Sequence, residues 1–242
     1  MKFLTPLLLA ALALAGCSKA NDTPSAPATP VAAVAAPAGQ NWGETVARTD
    51  EGYMLGNPAA PVKFVEYGAR LCPACKAFAN EGFEPLIKNY VSTGKVSFEF
   101  RDFLIHGPAE LGLAMLGRCV DKSAFFPVLE QTYTNQDALN QSMLAVTPAQ
   151  QAAFQGKPPV AVVTGWTQAI GGIDFMKQRG LADAKARACL ADEKAMNEIV
   201  AVTEKRGADG TVSGTPTLIV DGKKVDGIGW ADLEKALKAT GA

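Results

Sequence analysis

Pro61-Val62-Lys63-Phe64-Val65-Glu66-Tyr67-Gly68, and four positions later Cys72-Pro73-Ala74-Cys75-Lys76-Ala77-Phe78-Ala79-Asn80, decide how this chain folds. The first stretch is a short, mostly apolar strand closed by a glycine. The second opens a helix, with Pro73 in the first turn, where a missing N–H costs nothing. Two thiols three positions apart at a helix start can close reversibly into a small disulfide ring, which implies thiol–disulfide exchange. Cys72 then sits among unpaired backbone N–H groups at the positive end of the helix dipole, where a thiolate is stabilised. Cys75 lies one turn inside and is better shielded. The pair therefore divides into an attacking and a resolving sulfur.

Other readings of a CxxC pair fare worse. Zinc takes four ligands, and Cys119, Cys189 and the single His106 supply no second closely spaced pair. Haem attachment wants His directly after the second cysteine, and Lys76 stands there. A purely structural disulfide over so short a ring constrains the unfolded chain little. His106, beside Gly107-Pro108, reads as a loop or helix-start residue and receives no role.

Outward from this core, Gly94-Lys95-Val96-Ser97-Phe98-Glu99-Phe100-Arg101 alternates with period two and is a second strand, with Val96, Phe98 and Phe100 on one face. The redox helix is expected over 73–90. From Pro108 to about Arg206 apolar residues recur at helical spacing, as in Leu111, Met115 and Leu116, and in Met196, Ile199 and Val200. Thr217-Leu218-Ile219-Val220, Asp221-Gly222 and Lys223-Lys224-Val225-Asp226 read as a hairpin with an Asp-Gly turn, and 231–239 as a closing helix.

The order strand, redox helix, strand, helical block, hairpin, helix, taken with Cys-Pro-Ala-Cys and Ser213-Gly214-Thr215-Pro216-Thr217, resembles the DsbA family of thioredoxin-fold oxidoreductases. The resemblance runs from about Val46 to Ala242. It implies an α/β thioredoxin fold with a helical insertion over about 107–206. It also implies a cis peptide at Thr215-Pro216, in a loop that packs on the dithiol and helps Pro73 and Ala74 hold a substrate peptide. A trans proline opening an edge strand is the alternative. Glu66 interrupts the apolar strand six positions before Cys72, where burial would raise its pKa. The resemblance makes it an acid or base for the proton of Cys75; otherwise it is a solvated edge residue. Neither metal nor organic cofactor is required.

The N-terminal residues bear on the compartment. Met1-Lys2 precedes an apolar run from Phe3 to Ala15, too short to span a bilayer. Leu14-Ala15-Gly16-Cys17 resembles the lipobox of bacterial lipoproteins, which implies a signal peptide over 1–16, acylation of Cys17 and, with Ser18 next, sorting to the outer membrane. An ordinary secretory signal is the alternative; both export the chain, and the expected location is the periplasm. The Ala/Pro-rich stretch 17–40 cannot bury enough to fold and reads as a semi-extended tether. The domain then occupies 41–242.

Once the lipidated residue is set aside, four cysteines remain, which suggests a second, structural bond between Cys119 and Cys189; two separate buried thiols are the alternative. A formal net charge of -1 with no basic cluster gives no electrostatic case for nucleic-acid binding.

The expected function is formation of disulfides in cysteine-containing envelope proteins, with a membrane redox protein as partner. Cues on direction conflict. Ala74 offers no charge to the thiolate, and Thr215 before Pro216 resembles the reductase and isomerase branch. Residues 41–60 are too short for the dimerisation domain of isomerases of this type, so a monomer is expected. The alternatives are a reductase or isomerase of the same fold, and a non-redox, peptide-binding, chaperone-like lipoprotein.

Overall fold

The computed structural model describes residues 29–242. The apolar leader, Cys17 and Ser18 lie outside the described residues. No helix among the described residues is long and apolar enough to cross a membrane.

Six strands form one sheet: β1 (Val46–Arg48), β2 (Tyr53–Leu55), β3 (Val62–Gly68), β4 (Val96–Asp102), β5 (Thr217–Val220) and β6 (Lys223–Lys224). Their order across the sheet is β1-β2-β4-β3-β5-β6. Only β3 and β4 are parallel, because the connection between them is long enough to carry a helix. That helix is α1 (Pro73–Leu86). Pro85 inside it removes a backbone donor, and the chain continues as a π turn over Ile87–Val91, where Ser92 N–H reaches the Ile87 carbonyl at 2.8 Å. The redox helix thus reaches the expected length with its last turn widened.

Period-two alternation assigns the faces of the sheet. Val62, Phe64 and Glu66 point towards α1, together with Val96, Phe98 and Phe100 from β4, all buried. Phe64 stacks on Phe98 at 5.0 Å and Phe83 of α1 meets Phe98 edge-on at 5.4 Å, an aromatic core that fixes helix to sheet. On the opposite face Tyr67 packs with Phe103 and Val202. The hairpin turn places both Asp221 and Gly222 at positive φ (48° and 77°), the geometry that suits a two-residue connection.

Between β4 and β5 lie α2 (Gly107–Arg118), α3 (Phe125–Thr134), α4 (Gln136–Leu144), α5 (Pro148–Ala152), α6 (Pro159–Ala169), α7 (Gly172–Lys177), α8 (Asp183–Leu190) and α9 (Glu193–Ala208); α10 (Trp230–Ala239) closes the chain. The insertion has its own apolar centre around Leu116, Ile199 and Leu190. Cys119, at the end of α2, and Cys189, in α8, are joined as a disulfide with Cα atoms 6.2 Å apart.

Two features depart from the sequence reading. The β1–β2 hairpin was not expected; each strand is three residues long, too short for periodicity to register, and it pairs through β2 with β4. The last part of the expected tether is docked on the domain. Val31 N–H donates to the Gly241 carbonyl at 2.8 Å, Val34 N–H to the Thr93 carbonyl at 2.9 Å, and Trp42 Nε1 to the Val34 carbonyl at 2.8 Å. Val31 packs against the main core, and the backbone bonds at Val31 and Val34 hold the rest of the segment there.

Candidate active site

The carboxyl end of β3, the start of α1 and the loop before β5 converge on the dithiol. Cys72 is the N-cap residue of α1, with extended backbone (φ -80°, ψ 119°), and Pro73 occupies the first turn. Cys72 retains 5% exposure and Cys75 none; neither is in a disulfide. The Cys72 Sγ donates to the Thr215 carbonyl at 3.3 Å, and Ala69 N–H donates to Cys75 Sγ at 3.4 Å. The Thr215-Pro216 peptide is cis, Pro216 is buried, and Thr217 Oγ1 closes the loop on the Gly214 carbonyl at 2.7 Å.

The two sulfurs are driven apart in acidity. The Cys75 thiol beside Cys72 is the largest influence and lowers its pKa, burial opposes this, and the Thr215 hydroxyl and the Cys75 and Ala74 N–H groups add to the lowering, to about 5. Burial pushes Cys75 well above an ordinary thiol, reinforced by its bond to Cys72 and by the Glu66 charge. Glu66 is fully buried on the α1 face of β3, and neither carboxylate oxygen finds a protein hydrogen-bond partner among the described residues. Burial first, and the Cys72 charge second, raise its pKa well above the usual carboxylate range. Gly68 makes the room: a Cβ there would lie 2.8 Å from Glu66 Oε1 and 2.4 Å from the Phe100 ring.

Several polar residues around the dithiol had no place in the sequence reading. Arg70, 1% exposed, pairs with Asp102 at 2.7 Å, and Arg118 pairs with the other oxygen of Asp102 at 3.0 Å. The Arg70 guanidinium lies 5.3 Å from the Phe125 ring centroid, and a Cβ on Gly117 would come within 2.5 Å of its Nη1. Glu110 of α2 accepts from the N–H groups of Leu71, Ile105 and His106, at 2.9, 2.7 and 2.9 Å. His106 Nδ1 lies 3.3 Å from Glu110 Oε1, and this bond is the main reason its pKa is raised. Gln136 and Asn140 of α4 donate to the backbone carbonyls of Arg70, Leu71 and Cys72. Arg70 and Glu110 carry a signal in hindsight, each being a charge within an apolar run; Gln136 and Asn140 carry none. Among the described residues no group of three or more His, Cys, Asp or Glu side chains is arranged to hold a metal.

A central parallel pair, a dithiol capping the helix between them, a prolyl loop across the sulfur and helices inserted after β4 make this a thioredoxin-fold protein of the DsbA-like kind. Residues 48–239 match the family model described as Thioredoxin, and the chain belongs to that family. It is 32% identical over 98 residues to disulfide bond formation protein D of Bacillus subtilis, covering 39% of this chain and 43% of that relative, less than half its length. The crystal structure of a protein-disulfide isomerase from Novosphingobium aromaticivorans superposes with a TM-score of 0.72 at 28% identity, covering 77% of this chain and 95% of the other. Oxidised BdbD from Bacillus subtilis shares the fold, with a TM-score of 0.59 at 17% identity, over 83% of this chain and 98% of that one.

Proposed function

We propose that this protein is an exported thiol–disulfide oxidoreductase that forms disulfides in cysteine-containing envelope proteins. The observation that carries the reading is the split between a Cys72 thiol lowered to about 5 and a buried Cys75 thiol raised well above its usual value. In the oxidised protein a substrate thiolate attacks Cys72 Sγ; the Cys72–Cys75 bond breaks and its electron pair leaves on Cys75. Glu66, kept protonated by its burial, supplies the proton that Cys75 takes up. A second substrate thiolate then attacks the substrate sulfur of the mixed disulfide, and Cys72 departs as a stabilised thiolate. The substrate has lost two electrons and the dithiol has gained them. A membrane redox protein that accepts two electrons restores the disulfide.

Stabilising the Cys72 thiolate stabilises the reduced form, which makes the disulfide a stronger oxidant. Substrate peptide would lie along the Thr215-Pro216 loop, beside Pro73 and Ala74. Cys119–Cys189 would brace the insertion. The leader over 1–16, acylation of Cys17 and a tether shortened by the docking of residues 31–34 would hold a monomeric domain at the periplasmic face of the outer membrane.

A second reading, isomerase or reductase activity, draws support from the Novosphingobium relative's description as a protein-disulfide isomerase. One experiment separates them: equilibrate the dithiol with glutathione buffers and assay reactivation of a reduced and of a scrambled substrate. An oxidising potential with activity only on the reduced substrate supports the oxidase. Efficient rescue of the scrambled substrate overturns it, and a dithiol that never exchanges with glutathione overturns both.

A further inference from the structure

The three consecutive carbonyls that end at the attacking sulfur's residue are all held by one helix of the insertion. Gln136, fully buried at the start of α4, donates from Nε2 to the carbonyls of Arg70 at 3.0 Å and Cys72 at 2.9 Å. Asn140, one turn further on the same face, donates from Nδ2 to the Leu71 carbonyl at 3.1 Å. From the other side, Glu110 takes the Leu71 N–H at 2.9 Å. A buried loop has to find partners for its backbone polar groups, and this one finds them on side chains of α2 and α4.

We propose that Gln136, assisted by Asn140, is a positioning residue that sets the reactivity of Cys72 by holding the 70–72 peptide carbonyls turned into α4. The inference rests on Cys72 being the attacking sulfur. The Cys72 carbonyl accepts both Gln136 Nε2 and the first helical N–H, that of Lys76 at 3.1 Å, so Gln136 fixes the peptide on which α1 begins. The Ala74 and Cys75 N–H groups that help lower the Cys72 thiol follow directly on this peptide, in the first turn of α1. An apolar residue of the same length at 136 would leave two buried carbonyls without their side-chain donor, and the loop would rotate to find another. Rotation at Cys72 would carry the sulfur away from its N–H donors.

The test is the thiolate ultraviolet absorbance of the reduced protein against pH, together with the glutathione equilibrium and a urea melt, for the parent, Gln136→Met, Gln136→Glu and Asn140→Leu. Gln136→Met should move the Cys72 titration to higher pH and shift the glutathione equilibrium about tenfold towards the protein disulfide. Asn140→Leu should shift both in the same direction by less. Gln136→Glu, which brings a carboxylate against two carbonyls, should raise the Cys72 midpoint furthest. An unchanged titration in Gln136→Met, even with a lower melting midpoint, would reduce Gln136 to a packing residue. If that variant does not fold, an unchanged titration in Asn140→Leu overturns the proposal. A parent that does not exchange with glutathione defeats the proposed function, while the titration arm still decides the role of Gln136.

Discussion

Cys72 Sγ lies 3.3 Å from the carbonyl oxygen of Thr215, a residue 143 positions away in the chain. That carbonyl accepts a bond from the thiol and has nothing to offer the thiolate, which relies on the Cys75 thiol, the Thr215 hydroxyl and two backbone N–H groups. The prolyl loop therefore supplies the acceptor for the protonated state, and the helix start supplies donors for the ionised one.

The pH response of the reduced protein follows from the sign of the shift. A thiol lowered to about 5 on folding adds stability that is complete above the ordinary thiol value and is lost as pH falls through about 5. Reduced protein should accordingly lose stability relative to oxidised protein as pH is lowered from about 9 to mildly acid values, while above that range the raised Cys75 thiol acts in the opposite sense. Parallel urea melts of the two forms across that range are the check; a constant difference would mean the thiolate is not stabilised on folding.

Division of labour between the sulfurs gives a second expectation. Cys75→Ala should accumulate mixed disulfides with substrate through Cys72, and Cys72→Ala should form none. Mass spectrometry of trapped adducts reads this directly, and an adduct on Cys75 of the parent would reverse the assignment.

Glu66 should separate stability from activity. Its raised pKa means that its contribution is fully present below the ordinary carboxylate range and is lost as pH rises towards the folded value. Glu66→Gln removes that loss, so the variant should gain stability over the parent as pH rises and yet turn over more slowly in the step that releases Cys75. Stopped-flow oxidation of a model dithiol and thermal melts across pH test both halves; an unaltered pH–rate profile would end the proton-transfer role.

Asp102 should behave in the opposite sense. Burial works against its charge, but Arg70 and Arg118 outweigh it and hold the carboxyl below its usual range, so its contribution is present above the ordinary carboxylate value and lost as pH falls through the lowered one. Asp102→Ala leaves two arginines short of their counter-ion, Arg70 fully buried among them, and should cost about 3–5 kcal/mol in urea unfolding at neutral pH. A loss under about 1 kcal/mol would show that the arginines find other partners.

Reduction of the Cys119–Cys189 bond should leave the dithiol chemistry in place and lower stability. The bond closes a separation of 70 residues, worth about 4 kcal/mol in the chain-entropy picture. Replacing both with Ser and measuring unfolding alongside glutathione exchange checks the two effects independently. Loss of exchange in a folded variant would tie the bond to the site itself.

How much of this was legible beforehand depended on the range of the interaction. The alternation in Val96, Phe98 and Phe100 and the Asp221-Gly222 turn are local, and both lie where the pattern puts them. Glu66 announced itself as a charge in an apolar strand. Gln136 and Asn140 did not, because amides on a helix have no pattern of their own and acquire meaning only when tertiary packing brings α4 against the 70–72 backbone. Val31 was hidden by composition, which averages one anchoring side chain into a stretch of Ala and Pro, and the backbone bonds at Val34 leave no trace in sequence at all.

The docking of residues 31–34 also gives the domain a heading. Val34 meets Thr93 just beyond the π turn, whereas Cys72 caps the opposite end of the same helical column. That column holds 14 residues and then five more, roughly 28 Å at the usual rise. The segment from residue 29 therefore meets the domain first at Gly241 and then at the base of this column, with the sulfurs at the column's far tip, so the dithiol and the docked N-terminal segment occupy opposite ends of one helical axis.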